Sequence, residues 1–223
     1  MTTSLLPAVE VETGPNPDAC VIWLHGLGDT GDGWSQVVPA LGIPASIRVR
    51  FLFPHAPKMS VTINNGFVMP AWYDIREANL AERADVAGVR RSQAQLEALM
   101  VRENVRGIAD SRIVLAGFSQ GGAVALYTAL RHPRRIAGIV ALSTYLVGID
   151  TLGREASPAN RDAPIFMAHG TLDPVVRLAW AHASRDALVR EGWKVDWQEY
   201  PMEHGAVMEE VQAVGAFLRG VLL

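Results

Sequence analysis

The stretch Arg112-Ile113-Val114-Leu115-Ala116-Gly117-Phe118-Ser119-Gln120-Gly121-Gly122-Ala123-Val124 decides the fold. Within it lies the pattern G-x-S-x-G, which about one chain in ten of this length carries by chance, so the five residues alone say little. Their surroundings say more. An apolar β-rich run ends at Phe118, and a helical run rich in Ala and Gly begins at Gln120. That is the strand–turn–helix in which a nucleophilic serine sits on a sharp, strained turn with its hydroxyl projecting beyond the sheet. Gly117 and Gly121 have no Cβ to collide with the neighbouring strand and helix. An ordinary N-cap serine satisfies the first helical N–H groups equally well, but it does not need a glycine on each side.

On both sides of this stretch, short apolar runs alternate with helical periods. Strands are expected at Ala19–His25, Ile47–Phe53, Arg112–Phe118, Ile136–Ser143, Pro164–His169 and Lys194–Tyr200. Helices are expected at Asp85–Val105, Gln120–Arg131, Arg177–Glu191 and Ala206–Leu222; in the first, Val86, Val89, Leu96, Leu99 and Met100 share one face. Near-continuous hydrophobic strands between amphipathic helices imply a mostly parallel, doubly wound α/β sheet covered on both faces. Lys194–Tyr200 alternates as an edge strand would, and Ser4–Glu12 is read as an added antiparallel edge strand. The segment Pro54–Ala84 has no period, and Pro54, Pro57, Gly66 and Pro70 exclude a long helix. Its aromatic content argues for an ordered loop over the top of the sheet, because long loops in compact α/β chains are usually functional.

The 223 residues fit one domain, 1–223, and 49% hydrophobic with 19% charged residues is ample material for a core. A net charge of −3 provides no basic face for nucleic acid. No window reaches the ~18 apolar residues of a membrane span. Residues 1–7 lack the basic start and long apolar stretch of a secretory signal. Cys20 is the single cysteine, expected as a small core residue, so no internal disulfide forms. A soluble cytoplasmic protein is the expectation.

If Ser119 is a nucleophile, it needs a base and an acid, and in this architecture they follow it in the order acid, then histidine, each beyond a strand's C-terminal end. Asp173, in Gly170-Thr171-Leu172-Asp173-Pro174, fits; Asp162 precedes its strand and lies at the wrong end of the sheet. The rival for Asp173 is a turn residue before Pro174. Of six histidines, His25, His55, His132 and His169 precede Asp173, and His182 falls inside a helix. His204, in Tyr200-Pro201-Met202-Glu203-His204-Gly205, follows the last strand. Stabilising an oxyanion requires N–H donors, each typically worth ~3 kcal/mol. The Gln120 N–H, next to the nucleophile, is one. The loop His25-Gly26-Leu27-Gly28-Asp29-Thr30-Gly31 supplies the other through Leu27. That loop lacks both the Lys of a phosphate-binding loop and the spacing of a dinucleotide site, so His25 is read as packing beneath it. No histidine–cysteine cluster has ligand spacing, so no metal and no cofactor are implied.

Together these stretches resemble the bacterial carboxylesterase and acyl-protein thioesterase family of α/β-hydrolases, the phospholipase/carboxylesterase family. The resemblance runs through Trp23–Gly31, Phe53–Pro57, Val61–Asn64, Met69–Ile75, Gly117–Gly122, His169-Gly170 with Asp173, and Tyr200–Met202 before His204. It implies an α/β-hydrolase fold of about seven strands without a large lid domain. It further implies cofactor-free hydrolysis of carboxylic esters and thioesters, Leu27 and Gln120 as oxyanion donors, and Trp72 beside the substrate. A homodimer is consistent with it. Gly205 departs from the serine that thioesterase members commonly carry after the histidine; this bears on protein-linked acyl chains against small esters, not on the triad.

The expected activity is therefore two-step acyl transfer through Ser119, on esters of short to medium acyl chains. Acyl-protein thioesterase or lysophospholipase-type activity is the nearest alternative. Amide cleavage on the same triad and a non-catalytic binding protein are the more remote readings. Met69, Trp72, Tyr73, Leu146, Val175 and Val176 all belong to loops at the C-terminal end of the sheet and are expected to line an open acyl groove. Against this, Trp72 would instead anchor its loop in the core.

Overall fold

The computed structural model describes residues 5–77 and 84–223. Seven strands form the main sheet: β1 (Ala8–Glu12), β2 (Ala19–Leu24), β3 (Val49–Pro54), β6 (Ile113–Phe118), β7 (Gly138–Leu142), β8 (Ile165–Gly170) and β9 (Val195–Tyr200). Their order is β1-β3-β2-β6-β7-β8-β9. Only β1 is antiparallel, with Glu12 opposite Arg50 of β3. All other neighbours run parallel. The expected N-terminal edge strand is thus present from Ala8; Ser4 lies outside the described residues.

The helices are α1 (Gly31–Ser35), α2 (Val86–Val105), α3 (Gln120–Arg131), α4 (Leu152–Glu155), α5 (Leu178–Arg190) and α6 (Met208–Leu222). They cover both faces. Leu96, Leu99, Val124 and Leu188 of α2, α3 and α5 pack on one, and Val214 and Leu218 of α6 on the other. Strands β2, β3 and β7 are buried along their whole length and β6 nearly so, which is why these runs read as continuously apolar. β9 is only partly covered and alternates accordingly. Asp85, expected as the first residue of α2, is its N-cap, with Oδ1 accepting from the Gly88 N–H at 3.0 Å.

The irregular segment contains an element that periodicity did not reveal. Lys58–Val61 (β4) and Phe67–Pro70 (β5) pair as an antiparallel hairpin, turning through Asn65 (φ 54°) and Gly66 (φ 75°). Asn-Gly between two short runs is a hairpin signature, because the turn needs residues that tolerate positive φ. Residues 78–83 of this segment lie outside the described residues. No large helical lid is present among the described residues.

Two buried charges generate predictions. Arg50, on β3, is bonded to Glu103 of α2 (2.7 Å) and to Glu12 of β1 (2.8 Å), and Glu103 is fully buried. A buried charge that loses its partner is left desolvated. Glu103→Gln should therefore lower stability by about 3 kcal/mol, measured as a lower urea midpoint at unchanged slope. Glu210, in the first turn of α6, is also fully buried, and neither carboxyl oxygen finds a hydrogen-bond partner among the described residues. Burial pushes its pKa up to about 8. Its folded pKa is raised, so the stability it confers is full below the ordinary carboxylate range and is lost as pH rises toward 8. Glu210→Gln should be more stable than the parent at pH 8 and no more stable at pH 4. A melting-temperature series across that range checks the sign.

Candidate active site

Ser119 stands between β6 and α3 with φ 54° and ψ −122°, a region L-residues avoid and one that persists only where the surroundings enforce it. Three bonds enforce it here. The Ser119 N–H donates to Leu142 O of β7 (2.8 Å), and Ser119 O accepts from the Ala123 N–H (3.1 Å) and the Thr144 hydroxyl (2.6 Å). The expectation for the glycines holds in detail. A Cβ on Gly117 would lie 2.4 Å from Gly121 C, and one on Gly121 would lie 2.4 Å from Leu24 O. The turn passes too close to α3 and β2 for any side chain.

The loops after β8 and β9 meet beside it. The Thr171 N–H donates to Tyr200 O (2.8 Å) and the Leu172 N–H to Met202 O (3.1 Å), stitching the two loops together. Asp173 Oδ1 accepts from the N–H groups of Val175 (2.8 Å) and Val176 (2.9 Å), which turns its other oxygen toward His204. His204 Nδ1 lies 2.6 Å from Asp173 Oδ2, and His204 Nε2 lies 2.9 Å from Ser119 Oγ. A carboxylate only accepts, so Nδ1 carries the proton and Nε2 accepts from the serine hydroxyl. Burial pushes the Asp173 carboxyl up, but the His204 bond, the backbone N–H groups and the imidazole charge outweigh it and hold the group below its ordinary value. The Phe118 ring, 4.8 Å away, flanks the imidazole. His182, the histidine excluded by its helix, is bonded to Glu199 on β9 (2.7 Å).

Leu27 and Gln120 both border the cavity in front of Ser119. Among the described residues, neither N–H donates to a backbone carbonyl outside its own element. The Gln120 N–H also opens α3, where the helix's positive end favours negative charge. The side chain of Gln120 has a second function: its Oε1 accepts from the Trp72 N–H (2.9 Å) and its Nε2 donates to Tyr73 O (2.7 Å). His25 packs beneath the Leu27 loop. Its Nε2 accepts from the Ala56 N–H (3.1 Å), so its Nδ1–H donates to Gly26 O (2.6 Å). Burial holds this ring below its ordinary pKa.

The cavity, about 390 Å³, is mostly apolar. Of the expected groove residues, Val175 and Val176 line it, beside Leu27 of the expected oxyanion loop. Trp72 does not. It is 3% exposed, with its indole N–H donating to His25 O (2.8 Å) and its carbonyl accepting from the Ser92 hydroxyl. These are the contacts of an anchor, because a buried indole must satisfy its N–H. Tyr73 and Leu146 are likewise buried away from the cavity wall, and Met69 lies off it, with its sulfur 3.4 Å from the Asn64 amide. The wall is completed by Ile63, Ile75, Phe118 and Tyr145. Ile63 and Ile75 sit in the segment already assigned to the sheet top, but nothing in a non-periodic stretch tells which apolar residues turn inward. Among the described residues no group of three histidines, cysteines or carboxylates could hold a metal ion, and no helix is long and apolar enough to cross a membrane.

Comparisons with known proteins agree with this architecture. The chain is 42% identical to acyl-protein thioesterase 1 of Neurospora crassa, over 96% of this chain and 89% of that one. It is 38% identical to acyl-protein thioesterase 1 of Yarrowia lipolytica, over 93% and 94%. The crystal structure of Zea mays acyl-protein thioesterase 2 superposes with a TM-score of 0.86 at 31% identity, over 97% of this chain and 99% of that one. Arabidopsis thaliana SOBER1 gives 0.86 at 27%, over 92% and 99%. The phospholipase/carboxylesterase family model matches residues 7–222, and the chain belongs to that family of α/β-hydrolases.

Proposed function

We propose that the chain is a serine esterase that hydrolyses carboxylic esters, and thioesters by the same route, of short to medium acyl chains. One observation carries this reading: the unbroken line of hydrogen bonds Ser119–His204–Asp173 on a strained turn that opens into an apolar cavity. His204 takes the Ser119 proton as Oγ attacks the substrate carbonyl, and the N–H groups of Leu27 and Gln120 bond the resulting oxyanion. Collapse returns the proton from His204 to the departing alcohol or thiol, leaving an acyl-serine. Water, deprotonated by the same imidazole, then releases the acid. Asp173 stays ionised and holds His204 in the required tautomer. Its low pKa and its three hydrogen bonds support that role.

The cavity supports an apolar acyl group, and its modest volume supports short to medium chains over bulky ones. Thioesters are included because close relatives at 38–42% identity are named acyl-protein thioesterases. Action in the cytoplasm is supported by the single, buried cysteine, which leaves no internal disulfide.

Ser119→Ala should abolish turnover of p-nitrophenyl butyrate and labelling by a fluorophosphonate while leaving the melting temperature nearly unchanged. Substantial residual hydrolysis would remove Ser119 as nucleophile. Wall and anchor should separate in a chain-length series from acetate to octanoate. Ile75→Ala should raise KM more for the longer esters, at up to about 0.8 kcal/mol per methylene that loses its apolar wall. Trp72→Ala should lower stability by about 3–5 kcal/mol and depress all chain lengths alike.

A further inference from the structure

His169, the last residue but one of β8, is a histidine that the proposed mechanism does not use. It is 1% exposed, so its polar ring atoms must find partners inside the protein. Its Nε2 lies 2.7 Å from Val176 O and 3.4 Å from Asp173 Oδ2. Both neighbours only accept, so Nε2 carries the proton and the ring donates toward both. Nδ1 is then a bare lone pair, buried and without a partner among the described residues. Burial holds the imidazole below its ordinary pKa, against the pull of Val176 O and the Asp173 charge. On its other side the ring lies nearly parallel to Trp197 of β9, with centroids 6.4 Å apart.

The placement of Val176 matters most. Its N–H donates to Asp173 Oδ1, its carbonyl accepts from His169, and its side chain lines the cavity. The turn that fixes the carboxylate is thus itself held at Val176 by His169, in addition to the Asp173 N–H bond to Gly170 O (3.3 Å) at its start.

We propose that His169 is a positioning residue for acyl transfer: by donating from Nε2 to Val176 O it locks the Asp173–Val176 turn, and through that turn the aim of Asp173 at His204. The inference rests on the esterase reading above. It assigns His169 no contact with substrate and no proton transfer.

The test is a set of His169 variants assayed with p-nitrophenyl butyrate. His169→Leu removes the donor, and His169→Gln restores an N–H near the Nε2 position. His169→Leu should lower kcat about tenfold to a hundredfold, the scale expected when a reacting group is displaced by around an ångström. KM should change little, and His169→Gln should recover most of the loss. Coupling to Asp173 provides a second, independent readout. Asp173→Asn alone should cost up to about 10⁴-fold, as in other triads. In that background His169→Leu should add almost nothing to the loss of fluorophosphonate labelling rate, because a residue that acts through the carboxylate has nothing left to aim. Three results would overturn the proposal: kcat within about twofold of the parent in His169→Leu; equal losses in the Leu and Gln variants; or a His169→Leu penalty that multiplies undiminished with Asp173→Asn. If His169→Leu unfolds, His169→Ala, which also lacks the donor, takes its place in the kcat comparison and in the labelling cycle under the same criteria. An active parent with unaffected His169 variants sinks this inference alone, whereas a parent inert toward ester and thioester sinks the esterase reading beneath it.

Discussion

A serine held at φ 54° carries a local penalty of order 1–3 kcal/mol, and the top of this sheet is arranged around sustaining it. The strain has a direct benefit: it lifts Oγ clear of β6, where a second loop can approach it. It also has a strict requirement, since the backbone of Gly121 must pass against Leu24 O and that of Gly117 against Gly121. Close packing elsewhere in the core makes the requirement affordable. Strands β2, β6 and β7 are almost entirely buried, and the bonds to Leu142 O and from Thr144 tie the turn to the neighbouring strand. The residues that enforce the strain are therefore core residues first, and only through the turn do they bear on chemistry.

The same division runs through the rest of the site. Asp173 is held by its own turn, His204 by a loop stitched to that turn, and the Leu27 loop by His25 and the Trp72 indole. Behind the Leu27 loop these partners are buried side chains, His25 and Trp72, that do not line the cavity. Belonging to the phospholipase/carboxylesterase family fits this plan: the strand ends present Ser119, Asp173 and His204, while the loops shape the cavity wall.

The parts of this plan legible in the sequence are those governed by order along the chain. Strand and helix succession, the turn at Ser119, and the positions of Asp173 and His204 relative to strand ends follow from local pattern and topology, and their geometry is as expected. The hairpin at Lys58–Pro70 was also written locally, in Asn65-Gly66, but its flanking runs are too short and irregular for period-two alternation to stand out. The cavity wall was not legible. Trp72 and Ile75 are three residues apart in one non-periodic segment, and which of them is buried and which borders the cavity depends on tertiary partners such as His25 and Ser92, far off in sequence. A large aromatic near an active site reads as a substrate platform, yet here its N–H has a carbonyl to satisfy in the interior.

The Gln120 side chain bonds the backbone of Trp72 and Tyr73, not their side chains. It therefore recognises the path of the loop and is blind to its composition. Residues on that loop can be exchanged, reshaping the cavity wall, without disturbing the backbone next to Ser119. A deletion or insertion that shifts the loop by one residue would do the opposite, moving the register of both bonds at once. On this scaffold the contact with Gln120 is thus sensitive to the length of the loop and indifferent to its side chains.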